Sequence, residues 1–368
     1  MVKAAFLASQ RKIEIKDFPK PPSDKRTALV KVTGCGVCGT DPHIYDGSRL
    51  GVVYPNIPGH EIVGILEEMG QECKINTYGT LDIGDRIAIV PGKTCGQCYY
   101  CKTFPHLENL CVARKIYGVT LDASNPPNLF GGFAEYLVLN PDYWAFKLPD
   151  NIPKGVDSLI EPFAVALHAV ERSVAPGLPY ASMGLGPGTT IVIQGAGPIG
   201  ILATCAARVM GAKVITVDVI KERLRMAKRF GASEVLNVKD IPSELRAIRV
   251  REILEGIGAD IAIECAGTTQ AFEEGIQMIR RGGRYIEMGN FADVGFASVK
   301  PSYICRNDID ITGSVIASPW DFRRVLYILT NYQYPFQELI THKFKIDEAE
   351  KAIFHVANKR GIKSIIVP

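Results

Sequence analysis

Thr190-Ile191-Val192-Ile193-Gln194-Gly195-Ala196-Gly197-Pro198-Ile199-Gly200 is the stretch that decides the fold. A short β-branched run leads into G-x-G-x-x-G, and Pro198 to Met210 then reads as a helix with proline near its first turn. A second strand, Lys213-Val214-Ile215-Thr216-Val217, follows, and Asp218 ends it 23 positions after Gly195. In a chain with 35 glycines the glycine pattern alone is weak, but the strand, helix, strand and acid around it make a dinucleotide-binding unit. Gly195 suits the tight turn, Gly197 lets the backbone approach a pyrophosphate, and Gly200 permits close packing of helix on strand. Pro198 and Ile199 open the helix, whose N-terminus favours the negative charge. The competing reading is a tight turn without a ligand. Asp218 is expected to accept hydrogen bonds from a ribose and to repel a 2′-phosphate, which predicts NAD in preference to NADP. Arg223 lies where it would soften that preference, although a solvated helix face is its more ordinary role.

Downstream, an amphipathic helix is expected over Lys221 to Phe230. Two more buried strands are expected at Asp260 to Cys265 and Gly283 to Met288. Such alternation predicts an α/β fold with a doubly wound parallel sheet. Upstream, the first 150 or so residues are rich in glycine, proline and short β-type runs, at Ala28–Val32, Glu61–Leu66, Arg86–Val90 and Ala134–Val138, which points to a largely antiparallel β domain. A length of 368 residues is ample for two domains. Two helix candidates and a last strand, Lys363 to Val367, occupy the final 50 residues.

Lysine and arginine number 42 against 39 acidic residues, a net charge of +3 that gives no reason to expect nucleic acid or an anionic membrane as partner. No apolar run reaches the roughly 20 residues a membrane helix needs. The start of the sequence soon becomes charged at Arg11 and Lys12, so no secretory leader is expected and a cytoplasmic protein is. In that compartment clustered cysteines read as metal ligands before disulfides. Four of the ten cysteines follow Cys95-x2-Cys98-x2-Cys101-x9-Cys111. Four thiolates at short spacing can wrap one tetrahedral zinc with no open position, as in a structural site. An iron–sulfur cluster is the competing reading.

Other metal-capable residues stand in Cys38-Gly39-Thr40-Asp41-Pro42-His43, in Gly59-His60-Glu61 and in Glu161-Pro162. None is strong in isolation, since a lone histidine is more often structural. Glu161 lies where the β-rich segment gives way to the α/β one. Cysteine, histidine and carboxylate together make an acceptable three-ligand zinc set that leaves room for a substrate.

In their order along the chain, Gly36 to Asp41, Gly59-His60-Glu61, the cysteine lobe, Gly131 to Tyr136 and the glycine loop resemble the zinc-containing medium-chain dehydrogenases, and the likeness runs through Ile340 to Phe344 and Ile362-Lys363. The resemblance implies a GroES-like catalytic domain from residues 1–154 and 319–368, with a structural zinc lobe at about 92–113, and a Rossmann domain over 155–318. It implies two zinc ions per chain. Cys38 and His60 would hold the catalytic one, with Glu61 or Glu161 as the further ligand. Thr40 would contact the substrate oxygen and His43 would pass the proton outward. A Glu-Pro at 161–162 is similar to the polyol, glucose and threonine branch, where simple alcohol dehydrogenases carry a cysteine. The implied reaction is hydride transfer between a secondary or polyol-type hydroxyl and NAD, in a homo-oligomer, tetramer or dimer. Alternatives are a dehydrogenase of simple alcohols, a metal-free double-bond reductase, or a nucleotide-binding protein without turnover. The chain departs from the family pattern at Pro42 and in the long gap before Cys111, where His106 is a competing ligand. Cys35, Cys73, Cys205, Cys265 and Cys305 are expected to pack as small apolar residues.

Overall fold

The architecture comes from a computed structural model, which describes residues 1–21, 24–105, 107–174, 185–290, 292 and 294–368. It divides into two compact units, one of residues 1–162 with 318–368 and one of residues 163–317. The first boundary falls later than residue 154 because the 3-10 turn Val156–Leu159 is buried against the strands Ala28–Val37 and Glu61–Met69 of the first unit.

The first unit is built on a seven-stranded sheet. Its order is Ile340–Phe344, Lys363–Ile366, Ala28–Val37, Glu61–Met69, Arg86–Ile89 and Ala145–Lys147, with Tyr136–Leu139 also pairing with Ala28–Val37. All of these pairings are antiparallel except that of Ile340–Phe344 with Lys363–Ile366. The chain's last strand therefore lies directly beside Ala28–Val37, with Ser364 opposite Val37 and Ile366 opposite Cys35. Val30, Val32, Cys35, Ile62, Leu66, Ile87, Phe133 and Ile366 form one buried core over this sheet.

The second unit is a six-stranded, wholly parallel sheet in the order Glu234–Asn237, Lys213–Asp218, Thr190–Gln194, Ala259–Glu264, Ile279–Glu287, Asp310–Gly313. Its central strands are buried over almost their whole length, as expected when helices cover both faces of a parallel sheet. The helix Pro198–Val209 buries eight consecutive residues from Gly200 to Ala207, while Lys221–Arg229 buries only Leu224 and Ala227. Cys35 and Cys205 are fully buried as expected, but Cys305 is exposed. It sits on the short helix Pro301–Asn307, which turns Tyr303 and Ile304 toward the core and so points the next residue outward. No helix among the described residues is long and apolar enough to cross a membrane.

Register aligns Gln194, Glu264 and Glu287 side by side at the carboxyl ends of adjacent strands. Glu264 Oε1 accepts from the backbone N–H groups of Ala266 and Gly267 at 2.6 and 2.8 Å. Asn290 donates to Glu287 from its backbone and from its side chain, at 3.1 and 3.0 Å. Among the described residues neither carboxylate has a Lys, Arg or His ion pair. Burial, and next the neighbouring Glu287, push the Glu264 carboxyl up to about 8 from an ordinary value of 4.5. Between those two values the unfolded chain has ionised while the fold still holds the carboxyl protonated, so stability falls as pH rises across that window. Glu264→Gln, which keeps the acceptor and removes the charge, is expected to raise the melting temperature at pH 8.5 by about 3 °C. The gain should vanish near pH 5. Scanning fluorimetry of both proteins across pH checks this, and an equal offset at every pH would contradict it.

Candidate functional site

Among the described residues two groups of metal-capable side chains form, and both lie in the first unit. The first is the cysteine lobe. Cys95, Cys98, Cys101 and Cys111 bring their sulfurs within 4.8 Å of one another. Cys98 and Cys101 are 3.5 Å apart and Cys95 and Cys101 are 3.9 Å apart. A tetrahedron with zinc–sulfur bonds of about 2.3 Å has edges of about 3.8 Å, so the spacing fits one zinc. No disulfide forms. Backbone N–H groups point at the sulfurs, from Cys98 to Cys95 at 3.3 Å and from Cys95 to Cys111 at 3.2 Å. Backbone hydrogen bonds from Cys101 and Val112 draw the Cys98 thiol down to about 6, whereas burial and its sulfur neighbours drive Cys101 up to about 12. His106 lies outside the described residues.

The second group is Cys38, His60 and Glu61, each with a ligand atom within 4.8 Å of the others. Strand pairing assembles it. Ala28–Val37 delivers Cys38 just past its end, and Glu61–Met69 begins opposite, with Gly36 facing Glu61. Gly36 has to be glycine, because a Cβ there would lie 1.7 Å from Glu61 Oε2 and 2.9 Å from Lys363 Cε. That space holds a buried ion pair between Glu61 and Lys363. Lys363 also donates to the Val37 carbonyl at 3.1 Å. Burial opposes the charge on Lys363, but Glu61 and then Cys38 outweigh it and hold the ammonium protonated beyond its usual range. Asp41 is a further charged neighbour. Its Oδ2 accepts from the Cys38 N–H at 2.7 Å and its Oδ1 lies 3.7 Å from His60 Nδ1.

Burial and the Glu61 carboxylate push the Cys38 thiol up to about 12. Glu161 is not within the 4.8 Å set, yet its carboxyl faces the same groups. Burial raises it to about 8, with His60 pulling down and Glu61 and Cys38 pushing up. Acidic groups packed this closely resist ionisation unless a cation joins them, and soft sulfur with imidazole and carboxylate is a donor set that zinc accepts. Thr40 Oγ1 lies 3.6 Å from Cys38 Sγ. His43 is turned outward, its Nδ1 2.9 Å from Ser48 Oγ, which in turn donates to Asp46 at 2.6 Å.

The glycine loop lies in the second unit. Gly195 has φ +91°, and a Cβ on Gly200 would stand 1.8 Å from the Gly195 carbonyl oxygen. Asp218 is tied to the loop, accepting from Ala196 N–H at 2.5 Å and from Ile220 N–H at 2.7 Å. Beyond it is a cavity of about 340 Å³ lined by residues that include Ile220, Lys221, Asn237 and Lys239. Arg223 departs from the solvated role expected of it. It is half-buried, and a Cβ on Gly197 would lie 3.9 Å from its Nη1. Sequence reasoning missed Lys363, Asp41 and the buried Arg114. Lys363 left a signal as a charge heading the apolar run Ser364-Ile365-Ile366-Val367, and Asp41 stood within the metal-capable stretch Cys38 to His43.

Residues 24–150 match the alcohol dehydrogenase GroES-like domain and residues 198–331 match the zinc-binding dehydrogenase domain. The chain is 31% identical over 361 residues to a probable D-xylulose reductase A of Aspergillus terreus, covering 96% of this chain and 94% of that protein. It is 30% identical to the sorbitol dehydrogenase of Bacillus subtilis, covering 96% and 92%. The crystal structure of an alcohol dehydrogenase from Thermotoga maritima superposes with a TM-score of 0.91 at 30% identity, covering 100% of this chain and 99% of that one. With the three-ligand cluster, the four-cysteine lobe and the glycine loop, these likenesses establish that the chain belongs to the zinc-containing medium-chain dehydrogenase family.

Proposed function

We propose that this protein is a zinc-dependent, NAD-linked dehydrogenase that interconverts a secondary, polyol-type hydroxyl and its ketone. The single observation that carries the reading is the contrast between the two clusters: four thiolates make a closed set, whereas Cys38, His60 and Glu61 leave a position free. Support for the substrate class comes from the relatives named for D-xylulose and sorbitol, and from Glu161 where simple alcohol dehydrogenases carry cysteine. Cys38, His60 and one of Glu61 and Glu161 would hold one zinc, and Cys95, Cys98, Cys101 and Cys111 a second. When bound, zinc supplies Lewis acidity toward a hydroxyl oxygen and the nicotinamide supplies the hydride acceptor.

The chain's own residues do the rest. Asp41 holds the Cys38 backbone and faces the His60 ring, which fixes two of the donors. Lys363 balances the charge of Glu61 and keeps that carboxylate in place beside Cys38. Thr40 Oγ1, beside the Cys38 sulfur, is placed to hold a proton of the substrate hydroxyl, and His43 with Ser48 offers the way outward. Gly195, Gly197 and the helix opening at Pro198 and Ile199 would receive the pyrophosphate. Each Asp218 oxygen keeps a lone pair for a ribose hydroxyl, and its charge disfavours a 2′-phosphate even with Arg223 close by.

Cys38→Ser is expected to lower NAD reduction by about a thousandfold or more while leaving one zinc per chain and a nearly unchanged melting temperature. Metal analysis with steady-state kinetics checks it, and full activity in a protein lacking that zinc would refute the assignment. Cys98→Ser should act on stability first, with loss of the other zinc and a melting temperature lower by about 10 °C. The decisive experiment follows absorbance of the reduced nicotinamide with NAD and then NADP, against polyols, aldoses, 3-hydroxy amino acids and simple secondary alcohols, before and after chelation. Chelator-sensitive NAD reduction by polyols is the expected result. Turnover only with simple alcohols would overturn the substrate class, and chelator-insensitive turnover would overturn the role of zinc.

A further inference from the structure

Arg114 is a guanidinium in an unusual place. It follows Cys111 by three residues, leads into the short strand Lys115–Ile116, and is only 8% exposed. Its Nη1 donates to the Glu108 carbonyl at 3.2 Å, and the Cys111 N–H reaches the same oxygen at 3.3 Å. Arginine and metal-capable cysteine thus meet at one backbone oxygen. Nε and Nη2 are buried and have no hydrogen-bond partner among the described residues. The group lies against Gly92, which pairs with Ile116 on the facing strand, and a Cβ on Gly92 would stand 2.2 Å from Nε and 2.9 Å from Cζ. The fold has cleared a slot for this side chain.

A guanidinium stays charged in a protein, and a buried charge is costly unless an opposite charge answers it. The acids around Arg114 are Glu108 first, then Cys111, Glu161 and Tyr143. Glu108 meets Arg114 through its backbone carbonyl rather than its carboxylate. No salt bridge to Arg114 forms among the described residues. What would answer the charge is the lobe itself once loaded, because four thiolates around one zinc dication carry a net charge of −2.

We propose that Arg114 is the built-in counter-cation of the four-cysteine site, placed by the Glu108 carbonyl and the Gly92 slot to retain the metal of that lobe. The proposal rests on reading Cys95, Cys98, Cys101 and Cys111 as a zinc site, and it makes Arg114 a positioning residue for that site rather than a catalytic one. The test uses the full chain with Cys38→Ser, so that the lobe alone reports, and follows zinc transfer to the chromogenic chelator 4-(2-pyridylazo)resorcinol. Arg114→Gln keeps a donor for the Glu108 carbonyl without the charge, and Arg114→Lys keeps the charge without the fork. Arg114→Gln should release zinc at least about tenfold faster than its parent, the scale typical of outer-shell partners, while Arg114→Lys stays within about threefold. Release from Arg114→Gln at the parent rate would overturn the proposal. So would equally fast release from both variants, since the role would then be packing or hydrogen bonding. If Arg114→Gln does not fold, Arg114→Met against Arg114→Lys gives the same contrast. A parent that holds no zinc in the lobe would instead refute the metal reading beneath the proposal.

Discussion

Lys363 and Glu61 carry opposite charges where neither reaches water, and much of the first unit is arranged so that they meet. One comes from the last strand of the chain and the other from an early one. They can pair only because Lys363–Ile366 and Glu61–Met69 flank Ala28–Val37 on its two sides. A buried pair of this kind is weak evidence for stability, because desolvation cancels much of the attraction, but losing one partner leaves the other charge unanswered in the interior. The pair therefore specifies position more than it adds free energy. It fixes a carboxylate beside the Cys38 sulfur and the His60 ring, and it commits the end of the chain to the same sheet edge.

The same economy of charge recurs. Asp218 is held by two backbone N–H groups, one on each oxygen, which aim its carboxylate. Glu264 accepts two such bonds as well, yet burial and, next, the neighbouring Glu287 push its carboxyl up to about 8. The two carboxylates also differ in the neighbour across the sheet. Asp218 is opposite Asn237, which is neutral, and Glu264 is opposite another acid. Backbone donors alone do not decide ionisation when a like charge occupies the adjacent strand.

Legibility in the sequence follows the distance over which each feature is encoded. The cysteine lobe and the glycine loop are local, so spacing alone exposes them, and the alternation of β-branched runs with helices makes the parallel sheet readable from Thr190 onward. Cys38, His60 and Glu61 were found as fragments, but nothing in the spacing says that Gly36 faces Glu61; strand register decides that. Lys363 was invisible as a partner for the same reason. Arg114 carried no signal, since an arginine after a cysteine motif is ordinarily a surface residue. For Arg223 and Cys305 the outcome depends on the helix face each occupies, which turns on which neighbours the helix packs against. The first holds its guanidinium beside the glycine loop, and the second is left outside by Tyr303 and Ile304.

The two metal-capable clusters rest on opposite foundations. The helix Tyr99–Thr103 in the cysteine lobe buries no residue, and the turn Glu108–Leu110 buries none either. A segment with so little apolar surface hidden cannot recover its conformational entropy by burial, so the ligand bonds of a metal have to do so, and a closed set of four is suited to that. Cys38, His60 and Glu61 instead stand at the ends of strands whose other residues form a large buried core of the unit. Their geometry is set by Val30, Val32, Ile62, Leu66 and Ile366 before any ion arrives. In the lobe the metal organises the chain, whereas at the sheet edge the chain organises the donors, and only the second arrangement can give up one coordination position without losing its shape.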